Sequence, residues 1–256
     1  MQYIVFDLEF NQASSSEIVP SDKKAKSQCP FEIIQIGAIK LASDFRATAT
    51  FNRFIKPAVY KKVSPFITDL TGITTEQLVK EGLFPEVFYA FLDFIGEPSE
   101  AVFCVWGRTD MKELYRNAKY YDLDQNLLPK MYINVQPYVS TYLGFSKNNL
   151  LRLQNSVEAL GIGITFPFHN ALYDAYYTAQ ILKKLNPISI QAMLYDPSYV
   201  GIKHRQPKRV IDFDKLIGQF EKMYARNMTE EEKQIIKLAY QMGKTQQFIR
   251  TETPKS

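Results

Sequence analysis

The chain has 256 residues, of which 46% are hydrophobic and 23% charged, and its formal net charge is +4. This composition supports a sizeable apolar core and excludes an intrinsically disordered protein. The sequence shows no internal repeat and no collagen or coiled-coil period. Its length allows one large domain with an appendage, or two modest domains.

The sequence predicts a protein of the reducing cytoplasm. It contains no run of about 18 apolar residues, so we expect no membrane-spanning helix. The first apolar run contains Asp7 and Glu9 and follows no basic residue, which argues against a signal peptide. The two cysteines, Cys29 and Cys104, suit a reducing compartment better than a disulfide framework or a thiolate metal site.

Three strands are predicted in the first part of the chain. Apolar, β-branched and aromatic residues indicate strands at 3–10, 32–41 and 51–55, the last of them stopped by a proline. Between the first two strands, the polar stretch 12–30 is predicted to be a long loop. Three early strands favour a β-meander.

Helical spacing follows these strands. Ser64 and the proline after it open a short helical turn, and Thr75 is predicted to cap a helix that ends near Gly82. A further helix is predicted from Pro85, at its first position, through Ile95.

Strands and helices then alternate. The predicted elements are a strand at 101–106, a helix at 109–120, a strand at 131–135, a helix at 149–160, and a helix that follows the N-cap Asn170 and ends at Leu185. This order predicts an α/β fold with a mixed sheet flanked by helices.

The last part of the chain differs in composition. Prolines punctuate the stretch after residue 186, and Thr229 with Glu232 forms a capping-box pattern for a helix to about Met242. We therefore predict one domain at 1–186 and a mostly helical extension at 187–256.

This extension carries the basic excess. Residues after 200 include 12 of the 31 basic and 7 of the 27 acidic side chains. Such a segment attracts polyanions, including nucleic acid, although a solvated helical face accounts for the same pattern.

Four acidic residues and one histidine are candidates for chemistry. Asp7 and Glu9 lie two apart in a strand and therefore project from the same face. Asp110 follows a buried strand where a helix begins, and Asp174 lies in the first turn of a helix, five residues after His169. Each feature alone also fits a plain role: exposed acids, a helix-capping acid, or a structural histidine.

Together, four carboxylates require a cation. At 4 Å and an effective dielectric of 20, each like-charged pair costs about 4 kcal/mol. Hard oxygen ligands select Mg²⁺ or Mn²⁺, and the reaction class that uses such a cluster is phosphoryl transfer assisted by two metal ions.

Three segments carry a family resemblance. They are Phe-Asp-Leu-Glu-Phe at 6–10, Trp-Gly-Arg-Thr-Asp at 106–110 and His-Asn-Ala-Leu-Tyr-Asp-Ala at 169–175. In order and placement they resemble the three motifs of the DEDDh 3′–5′ exonucleases, the DnaQ-like or RNase T superfamily, which has an RNase H-like fold. The segments 32–38 and 70–74 resemble that family's second strand and substrate wedge. The resemblance covers about residues 1–186, and the Trp-Gly pair points to the subgroup of histone-mRNA 3′-exonuclease-like and KapD-like proteins.

The resemblance implies a role for each matching residue. Asp7, Glu9, Asp110 and Asp174 would bind two Mg²⁺ or Mn²⁺ ions, and His169 would be the general base. The predicted substrate contacts are Leu8 and Phe10 on the terminal nucleotide and Leu70, Thr71, Gly72 and Ile73 on the terminal bases. One departure is Gln35, which stands where many relatives have an acid.

The expected function is that of a metal-dependent 3′–5′ exonuclease. It would release nucleoside 5′-monophosphates from the 3′ end of single-stranded nucleic acid, with RNA favoured over DNA because the subgroup that the chain resembles leans to RNA. Two alternatives stay open: a nucleic-acid-binding or regulatory protein on the same fold, and a proofreading-type subunit of a DNA polymerase.

Overall fold

The computed structural model describes residues 1–13, 28–146, 150–185, 190–197 and 211–244. Most of the predicted loop at 12–30 lies outside these residues. The strands, in chain order, are β1 (Gln2–Asn11), β2 (Glu32–Leu41), β3 (Ala47–Phe54), β4 (Ala101–Val105), β5 (Met131–Asn134) and β6 (Met193–Leu194).

Over the described ranges these six strands form one sheet in the order β3-β2-β1-β4-β5-β6. Strands β1, β2 and β3 are antiparallel neighbours, β4 and β5 add in parallel to β1, and β6 closes the edge antiparallel to β5. The mixed sheet predicted from the sequence is confirmed. Two differences are the early start of β3, whose first residues are small and exposed, and β6, which is too short to show any periodicity.

The helices of the first unit are α1 (Pro65–Thr71), α2 (Thr75–Leu78), α3 (Phe84–Ile95), α4 (Thr109–Tyr120), α5 (Gln136–Tyr142), α6 (Leu153–Ala159) and α7 (Ala171–Lys184). Of the helices in the described part of the chain, none is long and apolar enough to span a membrane.

Two helix predictions need correction, and one helix was not predicted. The N-cap of α2 is Thr74, which forms a capping box with Gln77, and the helix ends at Leu78 rather than near Gly82. Helix α6 begins only at Leu153, because Arg152 has an extended backbone. Helix α5 was not predicted; it has a proline in its first turn, where a helix tolerates one.

The chain forms two compact units, Met1–Val200 and Gly201–Ser256. The sequence placed the boundary after residue 186, but β6 belongs to the sheet of the first unit. Next to β6, the ring of Tyr195 lies 4.7 Å from the ring of Tyr115. Residues beyond the last helix of the domain therefore complete its sheet edge.

The second unit contains α8 (Phe213–Tyr224) and α9 (Glu230–Lys244) in its described part. The predicted capping box at the start of α9 is confirmed: Glu232 donates its N–H to Thr229 Oγ1 at 3.3 Å, and Thr229 donates its N–H to Glu232 Oε2 at 2.9 Å. Arg226 pairs with the same glutamate at 2.6 Å.

Two apolar cores lie on opposite faces of the sheet. Ile4, Phe6 and Leu8 of β1 pack with α3 and α4, whereas Val5 packs with α5, α6 and α7. Side chains alternate between the two faces along a strand, so every second residue after Val5 has its side chain on the same face as Val5. This face is the one covered by α7. Asp7 and Glu9 therefore lie on the α7 face.

A glycine allows α7 to approach the sheet closely. Gly37 pairs with Asp7 across β1 and β2, and a Cβ atom at this position would lie 2.0 Å from the backbone nitrogen of Leu172. Only a residue without a side chain fits such an approach. The first turn of α7 therefore lies directly over the acids of β1.

Candidate active site

The first pair of acids comes from β1. Glu9 is 9% exposed and Asp7 is partly buried. A bulge between Glu9 and Phe10 follows them, so the regular pairing of β1 with β2 changes just past the acids.

The third acid arrives from the end of β4. Strand β4 runs parallel to β1, with Cys104 opposite Val5, so the segment that leaves β4 emerges beside Asp7. Gly107 turns this segment with a φ of 90°, and its N–H donates to Asn134 Oδ1 at 3.0 Å. Asp110 then follows in the first turn of α4, where it is 6% exposed.

The fourth acid lies at the start of α7. Asn170 caps this helix, as predicted, by accepting the N–H of Leu172 at 3.2 Å. Asp174 Oδ2 accepts the backbone N–H of His169 at 3.2 Å. Its other oxygen, Oδ1, is buried and has no hydrogen-bond partner in the described part of the protein.

The structure brings the four predicted acids together. One carboxylate oxygen from each of Asp7, Glu9 and Asp174 lies within 4.8 Å of the others. Asp110 is near enough for its charge to raise the pKa of both Asp7 and Glu9. The acids come from three elements that are distant in sequence, so the cluster is a product of the fold.

Burial and mutual repulsion keep protons on this cluster. Burial, with the charges of Asp174 and Asp110, raises the pKa of Glu9 to about 8. Burial raises the pKa of Asp110 to about 7 and that of Asp174 to about 6, although the His169 N–H opposes the latter shift. Burial and the three other carboxylates raise the pKa of Asp7 well above its ordinary range. Full ionisation at neutral pH therefore requires a compensating positive charge.

The donor set fits a hard divalent cation. It consists of carboxylate oxygens, which Mg²⁺ and Mn²⁺ prefer. The buried Oδ1 of Asp174 lacks any partner in the described structure, as expected for an atom whose partner is a cation. Asp7, Glu9 and Asp174 could share one ion, and Asp110 lies near Asp7 and Glu9.

His169 lies at the rim of the cluster. Its backbone N–H is bonded to Asp174, while its side chain is exposed. The residue has a φ of 66°, in the left-handed region that few residues other than glycine adopt. The backbone of His169 is thus tied to Asp174, and its imidazole is open to solvent.

Two of the predicted substrate contacts have buried side chains. Leu8 is 3% exposed in the core against α3 and α4, because strand alternation points it away from Asp7 and Glu9. Ile73 is also 3% exposed and packs with Ile67 under α1. Neither side chain is open to solvent in this structure.

The remaining predicted contacts are accessible. Leu70 is 41% exposed, Gly72 is exposed at the end of α1, Thr71 is partly exposed, and Phe10 lies partly exposed against Phe31. Thr71 also shapes the turn, because its hydroxyl donates to Ile67 O at 2.8 Å.

Sequence reasoning missed one exposed aromatic residue of α1. Phe66 is 61% exposed and precedes Leu70 by one helical turn, so the two side chains lie on the same face. An exposed aromatic and an exposed leucine at this spacing form an apolar surface. The signal was present in the sequence as the i, i+4 pattern of the helix.

It also missed the residue that fixes α1 to β1. Asn11 is fully buried at the end of β1; its Nδ2 donates to Lys62 O at 2.9 Å, and its Oδ1 accepts the N–H of Ser64 at 3.0 Å. These bonds hold the start of α1 at a set position relative to the acids.

Gln35 holds the start of α7. It is fully buried, its Oε1 accepts the Ala171 N–H at 3.3 Å, and its Nε2 donates to Asn170 Oδ1 at 3.3 Å and Asn52 Oδ1 at 2.9 Å. An ionised acid at this position could accept but could not donate. The glutamine therefore suits the neighbouring amides and adds no further negative charge beside Glu9.

In the described ranges, a six-stranded mixed sheet has helices on both faces, and carboxylates from one strand and from the first turns of two helices converge on it. This arrangement defines an RNase H-like nuclease fold. The chain belongs to the RNase T family of exonucleases, whose sequence model, described as "Exonuclease", matches residues 4–182. The predicted family is confirmed.

Comparison with known proteins agrees with this assignment. The chain is 32% identical over 157 residues to "DNA polymerase III PolC-type" of Thermotoga petrophila, covering 59% of this chain and 10% of that protein. It is 25% identical over 165 residues to "ERI1 exoribonuclease 3" of Bos taurus, covering 61% of this chain and 48% of that protein. The chain thus spans about a tenth of the length of the polymerase and about half of the length of the exoribonuclease.

A solved structure shows the same fold. The nuclease domain of 3′hExo, described as a DEDDh family member bound to rAMP, superposes with a TM-score of 0.62 at 20% identity, covering 76% of this chain and 96% of that one. The predicted RNase H-like fold is confirmed.

Proposed function

We propose that the chain is a metal-dependent 3′–5′ exonuclease that releases nucleoside 5′-monophosphates from the 3′ end of single-stranded nucleic acid, with RNA favoured over DNA. The observation that carries the proposal is the convergence of four carboxylates in a family of exonucleases, with the buried Oδ1 of Asp174 lacking a hydrogen-bond partner among the described residues.

The proposed catalytic groups are Asp7, Glu9, Asp110, Asp174 and His169. Two Mg²⁺ or Mn²⁺ ions bound by the carboxylates would supply Lewis-acid activation of water and stabilise the charge that develops on the phosphate. His169 accepts the proton of the attacking water through its exposed imidazole. The backbone N–H of His169 donates to Asp174, which ties this residue to the start of α7.

The proposed substrate contacts lie on α1 and at the end of β1. Phe66 and Leu70 offer an exposed apolar face on which unpaired bases can stack, a contact that every base can make. Phe10 lies next to Glu9, and Gly72 leaves the backbone open at the end of α1. A surface of this kind suits a single strand better than a stacked duplex.

Two similar proteins support the preference for RNA. One is described as an exoribonuclease, and the other is a nuclease domain bound to rAMP. A second candidate, proofreading of DNA, is favoured by the polymerase relative at 32% identity. The two candidates share the chemistry and differ in the sugar of the substrate.

The test uses 5′-labelled single-stranded RNA and DNA of the same sequence, each with Mg²⁺, Mn²⁺ or EDTA. We expect a ladder that shortens from the 3′ end only with metal, that is lost in an Asp7→Ala/Glu9→Ala variant, and that forms faster on RNA. Blocking the 3′ hydroxyl with a phosphate should slow the ladder if the 3′ end is recognised. An intact substrate with every metal would instead support the nucleic-acid-binding alternative, and faster DNA shortening would support proofreading.

We also propose that the protein works in the cytoplasm and that its basic extension contributes to nucleic-acid binding. Cys29 and Cys104 are both free and buried, which suits a reducing compartment. The extension carries the positive charge that phosphates attract.

A further inference from the structure

We propose that Tyr177 is a positioning residue that holds the segment Thr165–His169, here called the histidine loop, against α7, so that His169 is in place before substrate binds. The inference rests on the proposed exonuclease function. It goes beyond that function by assigning a role to a residue that is neither a ligand nor a base.

The hydroxyl of Tyr177 binds the backbone of the histidine loop three times. It donates to Phe166 O at 2.6 Å and accepts the N–H groups of Phe166 at 2.8 Å and Thr165 at 3.0 Å. A tyrosine hydroxyl has one donor and two acceptor positions, and all are used here. The side chain is fully buried, so water cannot replace these bonds.

Two ring stacks reinforce this attachment. The ring of Phe168 stacks on Tyr177 with centroids 4.7 Å apart, and the ring of Phe166 stacks on Tyr173 at 4.6 Å. The stacked phenylalanines flank Pro167, whose own φ is restricted. The loop is therefore fixed to α7 on both sides of the proline, immediately before His169.

His169 needs this support because its backbone is strained. Its φ of 66° is an unfavourable conformation for a residue with a side chain, and such conformations persist only where the surroundings impose them. The His169 side chain is exposed, so its position depends on how its backbone is held. The holding contacts are the bond from its N–H to Asp174 and the attachment of the preceding residues to Tyr177.

The contacts of Tyr177 are separate from the acids. Its three hydrogen bonds go to the histidine loop, one helical turn beyond Asp174 on α7. Removing the hydroxyl should therefore loosen the loop and leave the carboxylate cluster unchanged. This predicts a loss in kcat without a matching loss in metal or substrate binding.

The test is a double-mutant cycle on the full chain with Tyr177→Phe, His169→Ala and the double variant. Tyr176→Phe is the matched control, since it removes a hydroxyl from the neighbouring tyrosine. Tyr177→Phe should lower kcat about tenfold relative to the wild type, which is part of the 10² to 10⁴-fold that a general base contributes. Its KM, and the rise in stability that Mn²⁺ causes, should stay within about twofold of the wild-type values. In the His169→Ala background it should cause no further loss, because it acts through His169.

Hydrogen exchange gives a readout that does not depend on activity. The amides of Thr165 and Phe166 should exchange several-fold faster in Tyr177→Phe and remain unchanged in Tyr176→Phe. If Tyr177→Phe fails to fold, Phe168→Leu removes the ring stack at a partly buried position and goes through the same cycle.

Full kcat in Tyr177→Phe, unchanged exchange, or an equal loss in both backgrounds would overturn the inference while the wild type remains active. A wild type without metal-dependent hydrolysis would instead overturn the proposed function on which the inference rests.

Discussion

Replacing Glu9 by glutamine is expected to stabilise the protein when divalent cations are absent. Glu9 lies 9% exposed among three other carboxylates, and its pKa is raised from 4.5 to about 8. Glutamine has nearly the same shape and carries no charge. Above pH 4.5 the substitution therefore removes the cost of either protonating this carboxyl or burying its charge, while it preserves the packing.

The size of the effect follows from the pKa. Between pH 4.5 and about 8, folded Glu9 retains a proton that the unfolded chain releases, so the stability of the wild type falls as the pH rises through this window. Each pH unit above the pKa of the unfolded chain lowers the free energy of unfolding of the wild type by about 1.4 kcal/mol. At pH 7 this loss amounts to about 3 kcal/mol. For a chain of this length that corresponds to a gain in Tm of roughly 6–12 °C for the variant at pH 7, and to almost none near pH 4.5.

The assay is thermal unfolding in EDTA from pH 4.5 to pH 9, followed by titration with Mg²⁺ and Mn²⁺ at pH 8. Glu100→Gln is the matched control, since Glu100 is exposed and outside the cluster. Ligands that bind only the folded state raise Tm, so the metals should stabilise the wild type and the control more than Glu9→Gln. The electrostatic reasoning would be refuted if Glu9→Gln were less stable than the wild type in EDTA at pH 8. It would also be refuted if Glu9→Gln gained as much stability over the wild type at pH 4.5 as it does at pH 8.

Three further predictions concern the base, the packing and the extension. His169→Ala should lower kcat by about 10² to 10⁴-fold and leave the Mn²⁺-induced rise in Tm unchanged; a lost rise would make His169 a ligand. Gly37→Ala should lower Tm and activity together, because its Cβ would lie 2.0 Å from Leu172 N, and a variant with wild-type Tm would contradict the close approach. Truncation after Val200, which spares Tyr195, should weaken RNA binding and make the binding constant less dependent on salt concentration. If the slope of the binding constant against salt concentration did not change, the extension would make no phosphate contacts.

Local patterns were enough to predict many elements and the candidate residues. The period of two in β1 places Asp7 and Glu9 on one face whatever surrounds the strand, and Asn170 caps α7 by a bond within three residues. The capping box of α9 is equally local. Such features depend on neighbours in sequence, so they can be inferred without the fold.

Local patterns were insufficient where distant segments decide the outcome. Leu8 and Ile73 belong to motifs of the resemblance, yet both are buried because helices pack over them. Strand β6 forms only because β5 offers an edge. The role of Asn11 likewise depends on α1 lying beside the end of β1.

By itself, the sequence determined which residue types were available and on which side of each element they lie. Only the tertiary structure decided that Gly37 admits α7 to the sheet, that four carboxylates from three elements share one buried space, and that Oδ1 of Asp174 lacks a partner among the described residues. The physical reason is that burial and repulsion depend on distances between segments far apart in the chain, and these distances exist only after the sheet and its helices have packed.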